Sequence, residues 1–154
     1  MDEKVKRILA RVSEIPDFQH VEFSDVNASR SDGDNALHVI VGWGDLAAAK
    51  TLIEAGIDIN KAGDLGYTPL HLACMKGNLE MVRLLIDGGA DLFALSEGDT
   101  PFASARLGGF DAICDFLAPL MTRVQIQEPQ IWRKARIAQL RREIARLEAE
   151  LNRR

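Results

Sequence analysis

Apolar residues recur with helical spacing over most of the chain. Residues 2–15 place apolar side chains three or four positions apart, at Val5, Ile8, Leu9, Val12 and Ile15. This spacing predicts an amphipathic helix that ends at Pro16. Further along, short apolar stretches are separated by glycine-containing turns, and the same arrangement returns at a regular interval.

One sequence pattern occurs three times between residues 30 and 120. The clearest copy contains GYTPLHLA at 66–73, GNLE at 77–80 and GGAD at 88–91. Leu37 and Leu70 are equivalent in the first and second copies, and Thr68 and Thr100 are equivalent in the second and third. Proline suits the first turn of a helix and glycine ends one, so each copy is predicted to be a pair of short helices.

The Thr-Pro-Leu-His-x-Ala motif, repeated with a period of about 33 residues, resembles the ankyrin repeat. The resemblance implies an all-α fold, a solenoid of helix-turn-helix units with short hairpin loops, to which the sequence adds a long C-terminal helix. It also implies that His38 and His71 form hydrogen bonds within and between hairpins. The first and third copies depart from the motif, as terminal repeats do, because one of their faces meets water.

We therefore expect three parts. Residues 1–29 form an N-terminal helix and capping segment, residues 30–120 form about three repeats, and residues 121–154 form a linker and an amphipathic basic helix. After Pro119, Val124 and Ile126 alternate with polar neighbours, which predicts an extended stretch. From Pro129 to Arg154 the pattern is helical, with apolar residues in a heptad-like seam at Ile137, Leu140, Ile144, Leu147 and Leu151.

Three uses of this seam remain open: self-association, docking on the repeats, or capture of a helix from another protein. In a parallel homodimer the flanking pairs Arg136–Arg141′ and Glu143–Glu148′ would repel. An antiparallel pairing can place Arg136 opposite Glu150′ and Arg141 opposite Glu148′, and it leaves Glu143 facing its own mate. If the helix self-associates, we predict an antiparallel homodimer.

Charge is divided unevenly along the 154 residues. Residues 1–120 contain 10 Lys/Arg and 19 Asp/Glu, a net charge of −9, whereas residues 121–154 contain 9 and 4, a net charge of +5. The sequence shows neither an apolar run long enough to span a membrane nor the apolar core of a signal peptide. Its two cysteines do not indicate a disulfide framework. These features predict a cytoplasmic protein.

The sequence contains no motif for catalysis, metal binding or cofactor binding. His38 and His71 occupy framework positions of the repeat, while Cys74 and Cys114 lie in predicted helices and are too far apart in sequence for a redox motif. No phosphate-binding loop, nucleophile elbow or metal-ligand spacing is present. We expect no enzyme activity and no cofactor.

The resemblance places partner binding on the hairpin tips and on the exposed side of each first helix. Aromatic and apolar side chains there, surrounded by carboxylates, predict a protein partner with a basic surface. By position, the partner-binding residues are Asp32, Asp34, Trp43, Asp64, Leu65, Tyr67, Met75, Lys76, Glu97, Asp99 and Leu107.

The function predicted is a non-enzymatic protein–protein interaction module, with an inhibitor or immunity-type role as the more specific hypothesis. An oligomerising scaffold built on the C-terminal helix is the alternative. Nucleic-acid binding by the basic helix is a weaker one, because Glu143, Glu148 and Glu150 interrupt the arginines.

Overall fold

The computed structural model describes residues 1–152, apart from the side chains of residues 139, 142 and 143, so the predicted helix end at Arg154 lies outside the described residues. The described residues form α-helices and two short 3-10 turns, and they contain no strand. The helices are α1 (Glu3–Ser13), α2 (Ala36–Trp43), α3 (Leu46–Glu54), α4 (Pro69–Met75), α5 (Leu79–Asp87), α6 (Pro101–Leu107), α7 (Asp111–Gln127) and α8 (Pro129–Leu151). The all-α prediction is confirmed.

Local sequence explains where the paired helices begin. Pro69 and Pro101 occupy first-turn positions of α4 and α6, where a backbone N–H is not needed. Asp45 Oδ1 accepts a hydrogen bond of 3.0 Å from the Ala48 N–H at the start of α3. Asn78, one repeat later, accepts one of 3.0 Å from the Met81 N–H at the start of α5. Side-chain caps of this kind satisfy N–H groups that have no partner within the helix.

The helix pairs stack in two rows around a common core. The first helices α2, α4 and α6 pack against one another in order, and α3, α5 and α7 form a second row behind them. Leu52, Leu85 and Leu117 occupy equivalent positions in the second row, and each is 0% exposed. Complete burial of each leucine stabilises the fold by about 1.5–3 kcal/mol, so the stack depends on contacts between repeats.

Helix α1 covers the N-terminal end of this stack. It packs against α2 and α3. Val5, Ile8, Leu9 and Val12 face that contact and are at most 8% exposed. The amphipathic pattern of α1 therefore marks a face that the fold covers.

The prediction of an extended stretch at Val124 and Ile126 is wrong, because both residues lie in α7. Pro119 lies inside this 17-residue helix rather than at its end, so the boundary drawn at residue 120 falls within α7. Proline removes the hydrogen bond to the carbonyl four residues earlier, which belongs to Asp115. Asp115 and Pro119 are both exposed, so water can hydrate that carbonyl and the helix continues.

Helix α8 turns back toward the last loop of the repeats. Phe93 and Leu95 of that loop line one groove of about 470 Å³ together with Met121 of α7 and Trp132 of α8. A neighbouring groove of about 420 Å³ also brings Ile131 to this loop. The first turns of α8 therefore face the last loop of the repeats.

The seam of α8 lies beyond these turns and is exposed. Among the described elements, α8 makes extensive contacts with α7 alone. The exposed fractions are 51% for Ile137, 40% for Leu140, 55% for Ile144, 57% for Leu147 and 73% for Leu151. Docking on the repeats thus involves the start of the helix and leaves the heptad-like seam uncovered.

Candidate functional site

The candidate site is the surface formed by the hairpin loops and the first helices, and two histidines hold its loops in register. His38 Nε2 donates to the Tyr67 carbonyl in the next loop at 3.0 Å, and His71 Nε2 donates to the Asp99 carbonyl at 3.1 Å. In each ring Nδ1 accepts a backbone N–H, from Asn35 and from Thr68. The predicted bonds within and between hairpins are confirmed.

Burial keeps both imidazoles neutral. Loss of hydration is the main cause that lowers the pKa of His38 and of His71 below the ordinary value of 6.5, although their hydrogen bonds to carbonyl oxygens oppose it. A neutral ring can donate through Nε2 while it accepts through Nδ1, which a protonated ring cannot do. Both ring nitrogens of each histidine are thus bonded to backbone groups, and the two histidines are framework groups of the loops.

Further bonds join neighbouring loops. Asp34 Oδ1 accepts from the Asp64 N–H at 3.1 Å, and Ser96 Oγ donates to the Leu65 carbonyl at 2.9 Å. These contacts connect the first loop to the second and the second loop to the third. The loop tips are consequently a preformed surface, which lowers the entropy lost when a partner binds.

The carboxylates on this surface fall into two groups. Asp32 and Asp34 are half-buried and share Arg30, with Nη2–Oδ2 and Nη1–Oδ2 distances of 2.8 and 3.6 Å. The other three, Asp64, Glu97 and Asp99, are exposed, and none has an ion pair within the described part of the chain. The available negative charge therefore lies on the second and third loops.

Large apolar side chains are exposed on the same surface. Trp43, Met75 and Leu107 end the three first helices and are 46%, 47% and 79% exposed, and Leu65 at the tip of the second loop is 60% exposed. Leu46, at the start of α3, is the remaining large apolar residue exposed between residues 30 and 120. All of these except Leu46 are among the residues that the sequence predicts for partner binding.

The other predicted residues have mixed surroundings. Tyr67 is half-buried, and its ring meets the His71 ring edge-on at 5.8 Å between centroids. Lys76 is exposed beside Met75. Trp43 carries the Arg11 guanidinium 5.2 Å above its ring, so the N-terminal helix covers part of it.

Backbone strain is present at two of the loop tips. Leu65 and Glu97 have φ values of +53° and +49°, in the left-handed region that favours glycine. They occupy equivalent positions in successive loops and precede Gly66 and Gly98. An exposed leucine in this conformation is unfavourable both for the backbone and for hydration, and residues of this kind cluster at binding sites.

Several contributors were missed in the sequence. Arg30 compensates Asp32 and Asp34, and Arg11 reaches Trp43 and also forms a 3.0 Å ion pair with Asp45. Both arginines lie outside the repeat motif, so no spacing rule pointed to them. By contrast, a repeat-period signal was available for Asn27 and Asn60, which are one repeat apart and bridge successive loops.

The described part of the chain holds no group of three or more metal-ligating side chains. Within it, no helix has the length and hydropathy needed to cross a membrane. Burial raises the pKa of the Cys74 thiol to about 12, so this cysteine is not a nucleophile at neutral pH.

Comparison with protein families places three copies of the ankyrin repeat on residues 37–128. No curated protein matches the chain. The family match includes the first helix of the first repeat and extends through α7, in agreement with the helix pairs and loop bonds described above. Repeats of this family act as protein–protein interaction modules, and no enzyme family matches. The chain belongs to the ankyrin repeat family.

Proposed function

We propose that this protein binds a partner with a basic surface through the loop tips and the ends of its first helices. The observation that carries the proposal is the combination of exposed apolar side chains with uncompensated carboxylates on one preformed surface. Apolar and aromatic groups supply binding energy, and the carboxylates select a basic partner and speed association.

The surface divides into regions with different expected contributions. Met75, Leu65 and Leu107 are exposed apolar contacts, while Asp64 and Glu97 supply unpaired charge on the loops that precede α4 and α6. Asp32 and Asp34 contribute less, because Arg30 already lies against both carboxylates. We therefore expect the second and third repeats to contribute most of the selectivity for charge.

An inhibitor or immunity-type role is one specific form of this function. A basic enzyme, such as a nuclease toxin, has the charge that would complement the acidic loops. Under this hypothesis, mixing the two proteins at equal concentrations would suppress the activity of the enzyme. An enzyme that stays fully active in the complex would exclude the inhibitory role and leave the binding function intact.

The test of the binding function compares three baits in a pull-down from a lysate of the source cells. The first is the wild-type protein, and the second carries Asp64→Lys, Met75→Ser and Glu97→Lys. The third changes the outer helices by the same charge and a similar apolar loss, with Leu46→Ser, Asp87→Lys and Asp115→Lys, all at exposed positions.

A basic protein captured by the wild type and by the outer-helix bait, but lost from the loop bait, is the expected result. Isothermal titration with that protein should then show weaker binding at higher salt, because exposed charge pairs are screened. Equal capture by all three baits would contradict the proposal and move the binding site away from the loops.

A further inference from the structure

Helix α8 contains an apolar face that the described part of the chain does not cover. Ile137, Ile144 and Leu147 are more than half exposed, although each is a large aliphatic residue. In the same chain, Val5, Leu9 and Val12 of α1 form an apolar face of similar pattern and are at most 2% exposed, because α2 and α3 cover them. The apolar face of α1 is covered by two helices, whereas the seam of α8 has no such cover within the described part of the chain.

The first turns of α8 limit where such a partner can bind. Ile131 and Trp132 face the last loop of the repeats, next to Phe93. The seam from Ile137 to Leu151 begins one turn later and is accessible. The start of α8 is thus directed toward the stack, and the rest of the helix is open to another chain.

The charges beside the seam are segregated along the helix. In its first half the flanking residues are basic, at Lys134, Arg136 and Arg141, and in its second half they are acidic, at Glu143, Glu148 and Glu150. A parallel second copy would place like charges together. An antiparallel second copy would place the basic half of each helix beside the acidic half of the other.

From the exposed seam and this charge segregation, we propose that α8 pairs with α8 of a second copy in an antiparallel coiled coil. The inference concerns a surface separate from the loop tips, so it does not depend on the proposed function. The seam extends over little more than two heptads. The homodimer is therefore concentration-dependent rather than permanent.

An ion pair within the helix does not prevent this arrangement. Glu150 Oε1 lies 3.2 Å from Arg146 Nε, and both side chains are more than half exposed. Exposed pairs four residues apart contribute only a few tenths of a kcal/mol in general. The carboxylate of Glu150 can consequently exchange Arg146 for a basic group of the second helix.

Pairing of this kind would join two repeat arrays in one particle. Two binding surfaces would then engage a bivalent or surface-bound partner with an avidity above that of either surface alone. The gain requires both arrays to reach the partner together.

The first experiment is sedimentation equilibrium of the full chain over a wide concentration range. The mass of the wild type should rise from 17.0 kDa toward that of a dimer. Leu147→Glu should weaken the association by about 100-fold or more, since each dimer loses two apolar contacts. Leu46→Glu, the same change at an exposed position outside both α8 and the loop surface, should leave it unchanged. A wild type that stays monomeric throughout, or a mass beyond the dimer, would overturn the proposal.

Charge reversal tests the orientation. Glu148→Lys with Glu150→Lys makes the flanks of an antiparallel dimer repulsive and should weaken it by roughly tenfold. Mixing this variant with an Arg136→Glu, Arg141→Glu variant restores opposite charges and should recover the dimer. In a parallel dimer the first variant would instead turn the repulsive Glu143–Glu148′ pair into an attractive one. A strengthened dimer would therefore refute the antiparallel arrangement. Circular dichroism of every variant checks that the fold is retained.

Discussion

Substitution of Gly77 tests how the third repeat packs against the second. Its φ is +70°, and a Cβ built there would lie 2.4 Å from Phe110 Cε1 and 2.6 Å from Phe110 Cδ1. Phe110 occupies the position of the capping residues Asp45 and Asn78 in the earlier repeats. Asp45 and Asn78 cap the helices that follow them, whereas the ring of Phe110 packs on the backbone of the preceding repeat.

Gly77→Ala should destabilise the protein for two reasons. The left-handed backbone conformation costs an alanine about 1–2 kcal/mol, and displacement of the Phe110 ring adds about 1–3 kcal/mol. We expect the free energy of unfolding to fall by about 2–5 kcal/mol in total. This loss is a large part of the stability of a small domain.

Gly44 is the matched control, since it lies one repeat earlier and has a φ of +72°. A Cβ at this position meets only Asn78 Nδ2 at 3.5 Å, an ordinary contact. Gly44→Ala should therefore show the backbone cost of about 1–2 kcal/mol alone. The two costs are compared by urea denaturation followed by circular dichroism.

A double-mutant cycle with Phe110→Ala isolates the ring contact. In the Phe110→Ala background, Gly77→Ala should cost no more than Gly44→Ala does in the wild type. If Gly77→Ala and Gly44→Ala destabilise the wild type equally, or if the cycle shows no coupling, the ring does not pack on Gly77 and our account of the third repeat is refuted.

Two other perturbations test the loop framework. The native pKa of His38 and of His71 lies below 6.5, so on acidification the unfolded chain takes up protons before the native protein does. The free energy of unfolding should therefore be highest above pH 6.5. Below that pH it should fall by up to about 1.4 kcal/mol per pH unit for each histidine. Urea denaturation between pH 5 and 8 gives the free energy of unfolding at each pH, and this free energy should change less with pH in His71→Gln than in the wild type. An unchanged pH dependence would contradict this account. Asn60→Ala removes a donor to the Gly89 carbonyl and an acceptor for the Asp91 N–H, and should lower the free energy of unfolding by about 1–3 kcal/mol; thermal denaturation with no loss of stability would show that these bridges contribute nothing.

The repeat framework was predictable because its information is local. Thr68, Pro69 and Gly77 start and end helices through their own backbone and side-chain chemistry, and the period shows that the same unit returns. Helix α1 was equally clear, since its apolar spacing identifies the covered face. The inter-loop bonds of His38 and His71 followed from the resemblance that the motif carries.

The exposure of side chains on the candidate surface was predictable, whereas its balance of charge was less so. Leu65 and Met75 are exposed where the motif places variable residues. The sequence predicts Asp32 and Asp34 as part of an acidic surface, but Arg30 offsets one of their two negative charges. That contact depends on how residues before the first repeat fold over its loop, and no periodicity reports it.

The C-terminal region needed the tertiary structure for a physical reason. A proline such as Pro119 ends a helix unless the freed carbonyl is hydrated, and exposure is a property of the folded surface. Likewise, the heptad spacing of α8 predicts that one side of the helix is apolar, but it does not predict which residues cover that side. Periodicity and turn chemistry thus determined the helix pairs of this protein. Contacts between residues far apart in sequence decided how the two ends of the repeat stack are covered and which charges remain available to a partner.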